Sequence, residues 1–419
     1  MIQLIKQYKI TIINNIEYKM LYYLLPDCNH ILKSVDIKFK FKCNDQHPEQ
    51  DIYLSPSLHS YLNRAKELID QNYKKWDMVK KYTNPYEFIH SCLPHMTYSI
   101  AKVKPVSRAF LKLIEIYKHF NILGGYNSLK SFHLAEGPGG FIEATAYMRS
   151  NPLDTYYGIT LTNDEDYSIP GWRKSDYLFK KYKNIVIEKG KTGNGDLYNV
   201  ENYKHMFDLY KNSMNIITAD GGFDFSGDFN KQENNAFRLL FTQVAYAIVM
   251  QKYNGVFILK IFDVFLKSTT QLIYLLNCFY KKVYIVKPNT SRHANSEKYL
   301  VCKYFKFSDT SSIYNRFHDI LYVLDNIDFD KYEITSILNV ELNTYYLSKL
   351  NEINAIFIQQ QVDNILNTIK MIYYKDKSKD KMELMKNQNI KKCVRWCMDH
   401  GIPYYNNYTP TNIFLVNKS

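Results

Sequence analysis

The chain has 419 residues, 46% apolar and 23% charged. These are proportions of a globular protein that can bury a sizeable core, so general disorder is excluded, and the length allows two or three domains at roughly 150 residues each. Lys and Arg number 54 against 41 Asp and Glu, a net charge of +13, which suits a polyanionic partner such as nucleic acid or an anionic membrane and equally a plain solubility charge.

Met1–Tyr18 carries Lys6, Lys9 and Glu17 and no small-residue cleavage site, so it does not read as a signal peptide. No stretch approaches 18 uncharged apolar residues, and no membrane-spanning helix is expected. The first hundred residues mix short apolar runs with loops such as Lys42–Asp51. Leu58–Asp70 has the apolar spacing of a helix, and Arg108–Phe120 is a stronger one, with Phe110, Leu111, Leu113, Ile114 and Tyr117 on one face. From Ser131 the pattern changes. Apolar runs at Ser131–Ala135, Tyr156–Leu161, Asn184–Glu188, Asn215–Ala219, Val256–Ile261, Val283–Val286 and Tyr299–Tyr304 read as strands. Helical segments at Phe141–Met148, Gln232–Lys252 and Thr269–Phe279 lie between them. Short β-branched runs alternating with amphipathic helices predict an α/β fold with a mostly parallel sheet. Thr335–Lys370 and Met382–His400 have helical periodicity without obvious strands, and Lys375–Lys386 is charge-dense. The expected organisation is an N-terminal extension (1–100), an α/β domain (101–310) and a helical C-terminal extension (311–419).

The seven cysteines are odd in number and scattered, which fits reduced thiols in a cytoplasmic compartment. Cys393 and Cys397 are one helical turn apart but lack further ligands at zinc spacing, so no metal is expected. Only eight of the basic residues are arginine. Lys, Asn, Ile and Tyr share A/T-rich codons, so codon bias and a binding surface both account for the lysine excess.

Glu136-Gly-Pro-Gly-Gly140, followed by Phe141, falls between a strand and a helix, where a doubly wound domain binds nucleotide-like ligands. It lacks the spacing of a dinucleotide fingerprint and the Lys-Ser/Thr of a P-loop. An acidic residue beside glycines suits a cationic ligand; the alternative is a plain tight turn. Asp220 ends one apolar run, in Thr218-Ala-Asp-Gly-Gly222, and Lys260 ends the next, Val256-Phe-Ile-Leu-Lys260. A lysine in such a strand is costly unless paired, and a desolvated lysine beside another cation is a base or hydroxyl-orienting group. Glu297 precedes the closing strand. Each residue alone is equally a strand-end ion pair.

Together these stretches resemble the FtsJ-type (RrmJ-like) ribose 2′-O-methyltransferases, and more closely the mRNA cap 2′-O-methyltransferases of eukaryotes and large DNA viruses. The resemblance covers about Pro105–Tyr304 and rests on five ordered motifs: His133-Leu-Ala-Glu-Gly-Pro-Gly-Gly-Phe141, Gly193-Asn-Gly-Asp-Leu197, Thr218-Ala-Asp-Gly-Gly222, Phe257-Ile-Leu-Lys-Ile261 and Lys287-Pro-Asn-Thr-Ser-Arg-His-Ala-Asn-Ser-Glu-Lys-Tyr-Leu-Val301. It implies a Rossmann-like seven-stranded sheet with the last strand antiparallel, S-adenosyl-L-methionine as methyl donor and no metal. It implies a Lys-Asp-Lys-Glu tetrad, matched by Asp220, Lys260 and Glu297. Lys112, in Ser107-Arg-Ala-Phe-Leu-Lys112, fits the first position, with Lys118 a less favoured neighbour. Lys260 would be the base or orienting group, Asp220 and Lys112 would tune it, and Glu297 would hold the lysines. The cofactor contacts implied are Glu136, Gly137, Pro138, Gly139, Gly140, Phe141, Asp196, Asp220 and either Asn163 or Asp164. The partner implied is RNA, foremost capped mRNA, with other capping or transcription proteins beside it and no membrane. Codon bias and cap-type motifs together suggest a large cytoplasmic DNA virus or an A/T-rich protist as the source, and so a cytoplasmic setting, in a viral factory or virion if the source is viral. Two alternatives stay open: a ribosomal-RNA 2′-O-methyltransferase, and a non-catalytic RNA-binding scaffold of the same fold.

Overall fold

The computed structural model describes residues 20–43, 51–94, 96–163, 165–222, 232–374 and 379–405. Ten strands and eleven α-helices are found among them. The strands are β1 (Leu21–Leu24), β2 (Ile37–Cys43), β3 (Lys130–Leu134), β4 (Thr155–Ile159), β5 (Ile185–Glu188), β6 (Met214–Ala219), β7 (Gln251–Ile261), β8 (Tyr280–Lys287), β9 (Lys298–Phe305) and β10 (Tyr332–Leu338). The helices are α1 (Pro56–Asp70), α2 (Tyr73–Thr83), α3 (Ala109–Phe120), α4 (Gly140–Arg149), α5 (Asp176–Lys181), α6 (Val200–Tyr210), α7 (Gln232–Met250), α8 (Lys267–Phe279), α9 (Ser311–Asn326), α10 (Thr344–Tyr373) and α11 (Lys379–His400).

The main sheet has the order β1-β8-β9-β7-β6-β3-β4-β5. Strands β7, β6, β3, β4 and β5 are mutually parallel, and β9 runs antiparallel between β7 and β8. The strands read as continuous apolar runs because helices cover both faces. The expectation of seven strands with the last reversed holds for β3 to β9. The sheet itself has eight, because β1 pairs antiparallel with β8, Leu21 opposite Lys287 and Leu24 opposite Tyr284. Four residues with no turn signal beside them carry no periodicity long enough to read.

The C-terminal segment is likewise not purely helical. β10 pairs with β2, Tyr332 opposite Cys43 and Leu338 opposite Ile37, so one strand from each extension forms a separate two-stranded sheet. Thr335 begins no helix; α10 starts nine residues later, where the Asn343 side chain accepts the Tyr345 amide. Helices α5, α6, α2 and α9 are further additions, although α9 carries helical apolar spacing at Ile313, Phe317, Ile320, Leu321 and Leu324.

The extensions share the core of the sheet. Leu25, Ile37, Leu54, Leu350 and Phe357 belong to the same apolar cluster as Phe241, Leu259 and Leu272. Leu62, Trp76 and Val79 from α1 and α2 pack with Ile358, Val362 and Ile365 of α10 around Phe265. Cys393 and Cys397 are buried in a third cluster with Trp396 and Ile114. Among the described residues, no group of three or more His, Cys, Asp or Glu could hold a metal, and no helix is long and apolar enough to cross a membrane.

Candidate active site

The chain leaves β3 towards β4 on one side and β6 towards β7 on the other. The direction of winding therefore reverses between the carboxyl ends of β3 and β6, the place where such sheets bind ligands. The Gly-rich turn follows β3, and Asp220 follows β6.

Asp220, Lys260, Lys112 and Glu297 form two ion pairs. Lys260 Nζ lies 3.3 Å from Asp220 Oδ1 and donates to the Asp220 carbonyl at 2.6 Å. A Cβ on Gly222 would sit 3.0 Å from Lys260 Nζ, so the second glycine of Thr218-Ala-Asp-Gly-Gly222 leaves room for the ammonium. Lys112 Nζ donates to Glu297 Oε2 at 2.8 Å. Lys112 is half-buried on α3, whereas Lys118 is exposed, which separates the two lysines that the sequence left as alternatives.

Three residues of the Lys287–Val301 motif to which the sequence assigned no role surround these pairs. Tyr299, fully buried, donates its hydroxyl to Asp220 Oδ1 at 2.9 Å and stands opposite Lys260 in the antiparallel ladder. Its ring faces Lys112 Nζ at 6.0 Å. The signal was available: Tyr299 is two residues after Glu297, and alternate strand residues share a face. Ser291 Oγ donates to Glu297 Oε1 at 2.7 Å. Lys287 Nζ, also buried, donates to the Asn295 carbonyl, the Asn295 side chain and the Glu297 carbonyl at 2.6–2.7 Å. It fixes the backbone that presents Glu297. Burial alone would raise the Glu297 carboxyl, but the ammonium groups of Lys112, Lys260 and Lys287 overcome this and hold it at about 2. Burial pushes Lys287 well below the ordinary lysine value.

The expected cofactor residues divide into two groups. Glu136 is buried and accepts the Phe141 and Ile142 amides at 2.7 and 2.8 Å through Oε1. It therefore caps α4, a role the sequence reading did not assign. Burial, with a smaller push from the nearby Asp220 charge, raises its carboxyl to about 8. The glycines of the turn face protein. A Cβ on Gly137 would meet the Gly171 carbonyl at 2.6 Å, one on Gly139 would meet Leu178 at 3.0 Å, and one on Gly140 would meet Ser107 Oγ at 2.1 Å. Close packing of the turn on its own neighbours is thus reason enough for these glycines, beyond any approach of a ligand. Pro138 and Phe141 complete the turn, with Phe141 buried against Tyr299.

Asp196 is half-buried in the loop after β5. Its Oδ1 accepts the Tyr198 amide, and Asn194 of the same loop accepts the Thr162 amide through its carbonyl at 2.8 Å. This joins the Asp196 loop to the segment after β4 that carries Asn163. Asn163 is exposed, and its side-chain oxygen accepts the amides of Glu165 and Asp166. That oxygen is engaged within its own turn, which leaves the side-chain NH2 as the group able to reach a ligand. Asp164 lies outside the described residues. His133, by contrast, is structural: buried between Ser131 and Thr218, it is pushed down to about 3 by burial.

A cavity of about 820 Å³ lies elsewhere, lined by Cys28, His30, Tyr274, Asn277, Asn343 and Tyr346, and contains none of the four ionic residues. Asp220 after β6 and Asp196 in the loop after β5 fit a ligand bearing positive charge, whereas Glu136, raised to about 8, keeps its proton near neutral pH. The two lysine–acid pairs can position a hydroxyl.

Residues 105–305 match the model of the FtsJ-like methyltransferase family. The chain is 29% identical over 306 residues to the cap-specific mRNA (nucleoside-2′-O-)-methyltransferase 2 of Danio rerio, covering 66% of this chain and 37% of the relative. It is 35% identical over 176 residues to the cap-specific mRNA (nucleoside-2′-O-)-methyltransferase 1 of Homo sapiens, covering 41% of this chain and 21% of the relative. It thus spans about a fifth to just over a third of these relatives' length. Among solved structures, a protein described as a ribosomal RNA methyltransferase from Plasmodium falciparum aligns with 49% of this chain and 99% of its own, at 22% identity and a TM-score of 0.35.

Proposed function

We infer that residues 105–305, which belong to the FtsJ-like methyltransferase family, are the catalytic part of a chain that methylates a ribose 2′-hydroxyl of RNA near the 5′ cap of mRNA. The observation that carries this reading is the pair of lysine–acid contacts, Lys260 with Asp220 at the carboxyl ends of β7 and β6, and Lys112 of α3 with Glu297 before β9. The named relatives favour mRNA over ribosomal RNA.

The residues suited to hold S-adenosylmethionine are Asp196 and Asp220, with backbone of the Gly137–Gly140 turn. When bound, it supplies an electrophilic methyl group on a sulfonium. The protein's part is to aim a poor nucleophile. Lys260, fixed by both the carboxylate and the carbonyl of Asp220, either orients the ribose hydroxyl through its remaining N–H as an ammonium or, as a neutral amine, accepts the hydroxyl proton. Tyr299 locks the Asp220 carboxylate, while Glu297 anchors Lys112 next to it. Alignment of the reacting groups supplies most of the rate. The net charge of +13 suits the RNA backbone. The compositional expectation of a cytoplasmic, viral setting with other capping proteins nearby belongs to this reading.

Two assays test it. Labelled donor should be transferred to a capped oligonucleotide, and transfer to ribosomal RNA alone would overturn cap specificity. Lys260→Ala should lower turnover by two or more orders of magnitude, on the order of what positioned acid–base groups contribute, while cofactor binding by calorimetry persists. Wild-type turnover in that variant would refute the role of Lys260. RNA binding without turnover in the unaltered protein would favour the scaffold reading.

A further inference from the structure

The Lys112–Glu297 contact joins α3 to the connection between β8 and β9, two elements far apart in sequence. Both are gripped by one carboxylate that lies outside the 105–305 segment. Glu87 sits in a single 3-10 turn, Glu87–Ile89, and is 1% exposed. Its two oxygens accept Arg108 Nη1 at 3.1 and 3.0 Å. The same oxygens accept Arg292 Nη2 at 2.8 Å and Nε at 3.1 Å. Ser91 Oγ adds a contact of 2.8 Å. Arg108 precedes Lys112 by one helical turn, and Arg292 precedes Glu297 by five residues. Arg108 Nη2 also donates to the Thr290 carbonyl at 3.2 Å. In a chain with eight arginines among 54 basic residues, two converge here. The planar guanidinium can bind a carboxylate through two donors at once, which an ammonium cannot match.

We propose that Glu87 is a positioning residue for the transfer reaction: by clamping Arg108 and Arg292 it sets α3 against the 288–297 connection and so holds Lys112 on Glu297. The proposal rests on the methyltransferase reading for its consequence in turnover, though not for its geometry. Loss of the Glu87 charge leaves two guanidinium groups facing each other. The Glu297 carboxylate lies within electrostatic reach of both, so they compete with Lys112 for it. The fold has a second tie between the same elements. Glu115, one turn further along α3, accepts the Asn289 and Thr290 amides at 2.8 and 3.1 Å. The connection therefore stays attached when Glu87 is neutralised, and the variant is expected to fold.

The test compares Glu87→Gln and Glu87→Asp with the unaltered full chain. In Glu87→Gln, kcat on capped RNA should fall about tenfold or more, in line with the cost of misplacing a reacting group by a fraction of an ångström. KM for RNA and the dissociation constant for S-adenosylmethionine should each stay within about twofold, because the residues assigned to the cofactor lie on other strand ends. Glu87→Asp, which keeps the charge, should recover most of kcat. A crystal structure of Glu87→Gln should show the 2.8 Å Lys112–Glu297 contact broken. A folded Glu87→Gln enzyme with wild-type kcat, or one that keeps that contact, overturns the proposal. If the unaltered chain methylates no RNA, the functional reading fails, while the crystallographic contact still decides the role of Glu87. Should Glu87→Gln not fold, Arg292→Lys, which removes the two-donor grip on Glu87, carries the same readouts of kcat and the Lys112–Glu297 contact.

Discussion

Burial and charge pull the acids of this site in opposite directions. Glu297 and Glu87 are held at about 2 by the cations around them. Their folded values lie below the ordinary glutamate value, so the stability they contribute is present above about pH 4.5 and is lost as the pH falls towards 2. Glu136 is the reverse case. Its folded value is about 8, dominated by burial, so the folded state holds a proton that the unfolded state has already released. Its contribution to stability is lost as the pH rises from about 4.5 through 8. Glu115 and Glu233, both raised to about 7 by burial, act in the same direction. Glu136→Gln should therefore flatten, without abolishing, the fall in melting temperature of the ligand-free protein between pH 5 and pH 8. An unchanged slope by calorimetry would show that Glu136 stays ionised throughout. The sequence exposed Glu136, Asp220, Lys260 and Glu297 because acids and lysines at the ends of apolar runs are unusual there. It did not expose Tyr299, Ser291 or Glu87, whose importance lies in partners distant in sequence.

At the scale of elements, the loops after β4 and β5 behave as one unit. Gly195 has φ +71°, and a Cβ there would lie 2.1 Å from the Thr160 carbonyl oxygen. Gly193 has φ +79° with open space around it. An alanine at either position bears the left-handed backbone cost of about 1–2 kcal/mol, but only Gly195→Ala also pushes a main-chain oxygen. Gly195→Ala should lower the melting temperature more than Gly193→Ala and weaken S-adenosylmethionine binding through the neighbouring Asp196; equal effects would mean that the loop gives way. The strands of the 130–305 region and the helices α4, α7 and α8 were legible to within a few residues, since long apolar runs separated by polar turns leave few alternatives, whereas the shorter α5 and α6 were not read. α7, with Ala236, Phe241, Val244, Ala245 and Val249 all buried, was legible by its length and apolar density.

At the scale of the whole molecule, the regions before 101 and after 310 share a core with the sheet. Leu350, Phe357, Val362 and Ile365 are each at most 5% exposed, and each such side chain contributes roughly 1.5–3 kcal/mol on burial. Their partners in the sheet, in α1 and in α2 would be left in water by truncation. Because whole-domain stability is only about 5–15 kcal/mol, a fragment ending at residue 310 should be insoluble or lack a cooperative melting transition. A fragment that melts cooperatively with the catalytic rate of the full chain would show the extension to be dispensable.

What the sequence determined alone was the order of strands from residue 130 to 305 with three of the helices between them, the acids and lysines at the strand ends, and the resemblance those motifs carry. Each of these is written in local periodicity or in short spacing. Only the tertiary structure decided that Lys112, not Lys118, meets Glu297, because this depends on which face of α3 the connection before β9 covers. It also decided that the turn glycines are packed by their own neighbours and that β1 extends the sheet. The pairing of β2 with β10 across the two extensions was likewise settled there, as was the convergence of Arg108 and Arg292 on Glu87. These are contacts between segments up to about 300 residues apart, and the free energy that selects them comes from burial and charge pairing across the fold rather than from any local pattern.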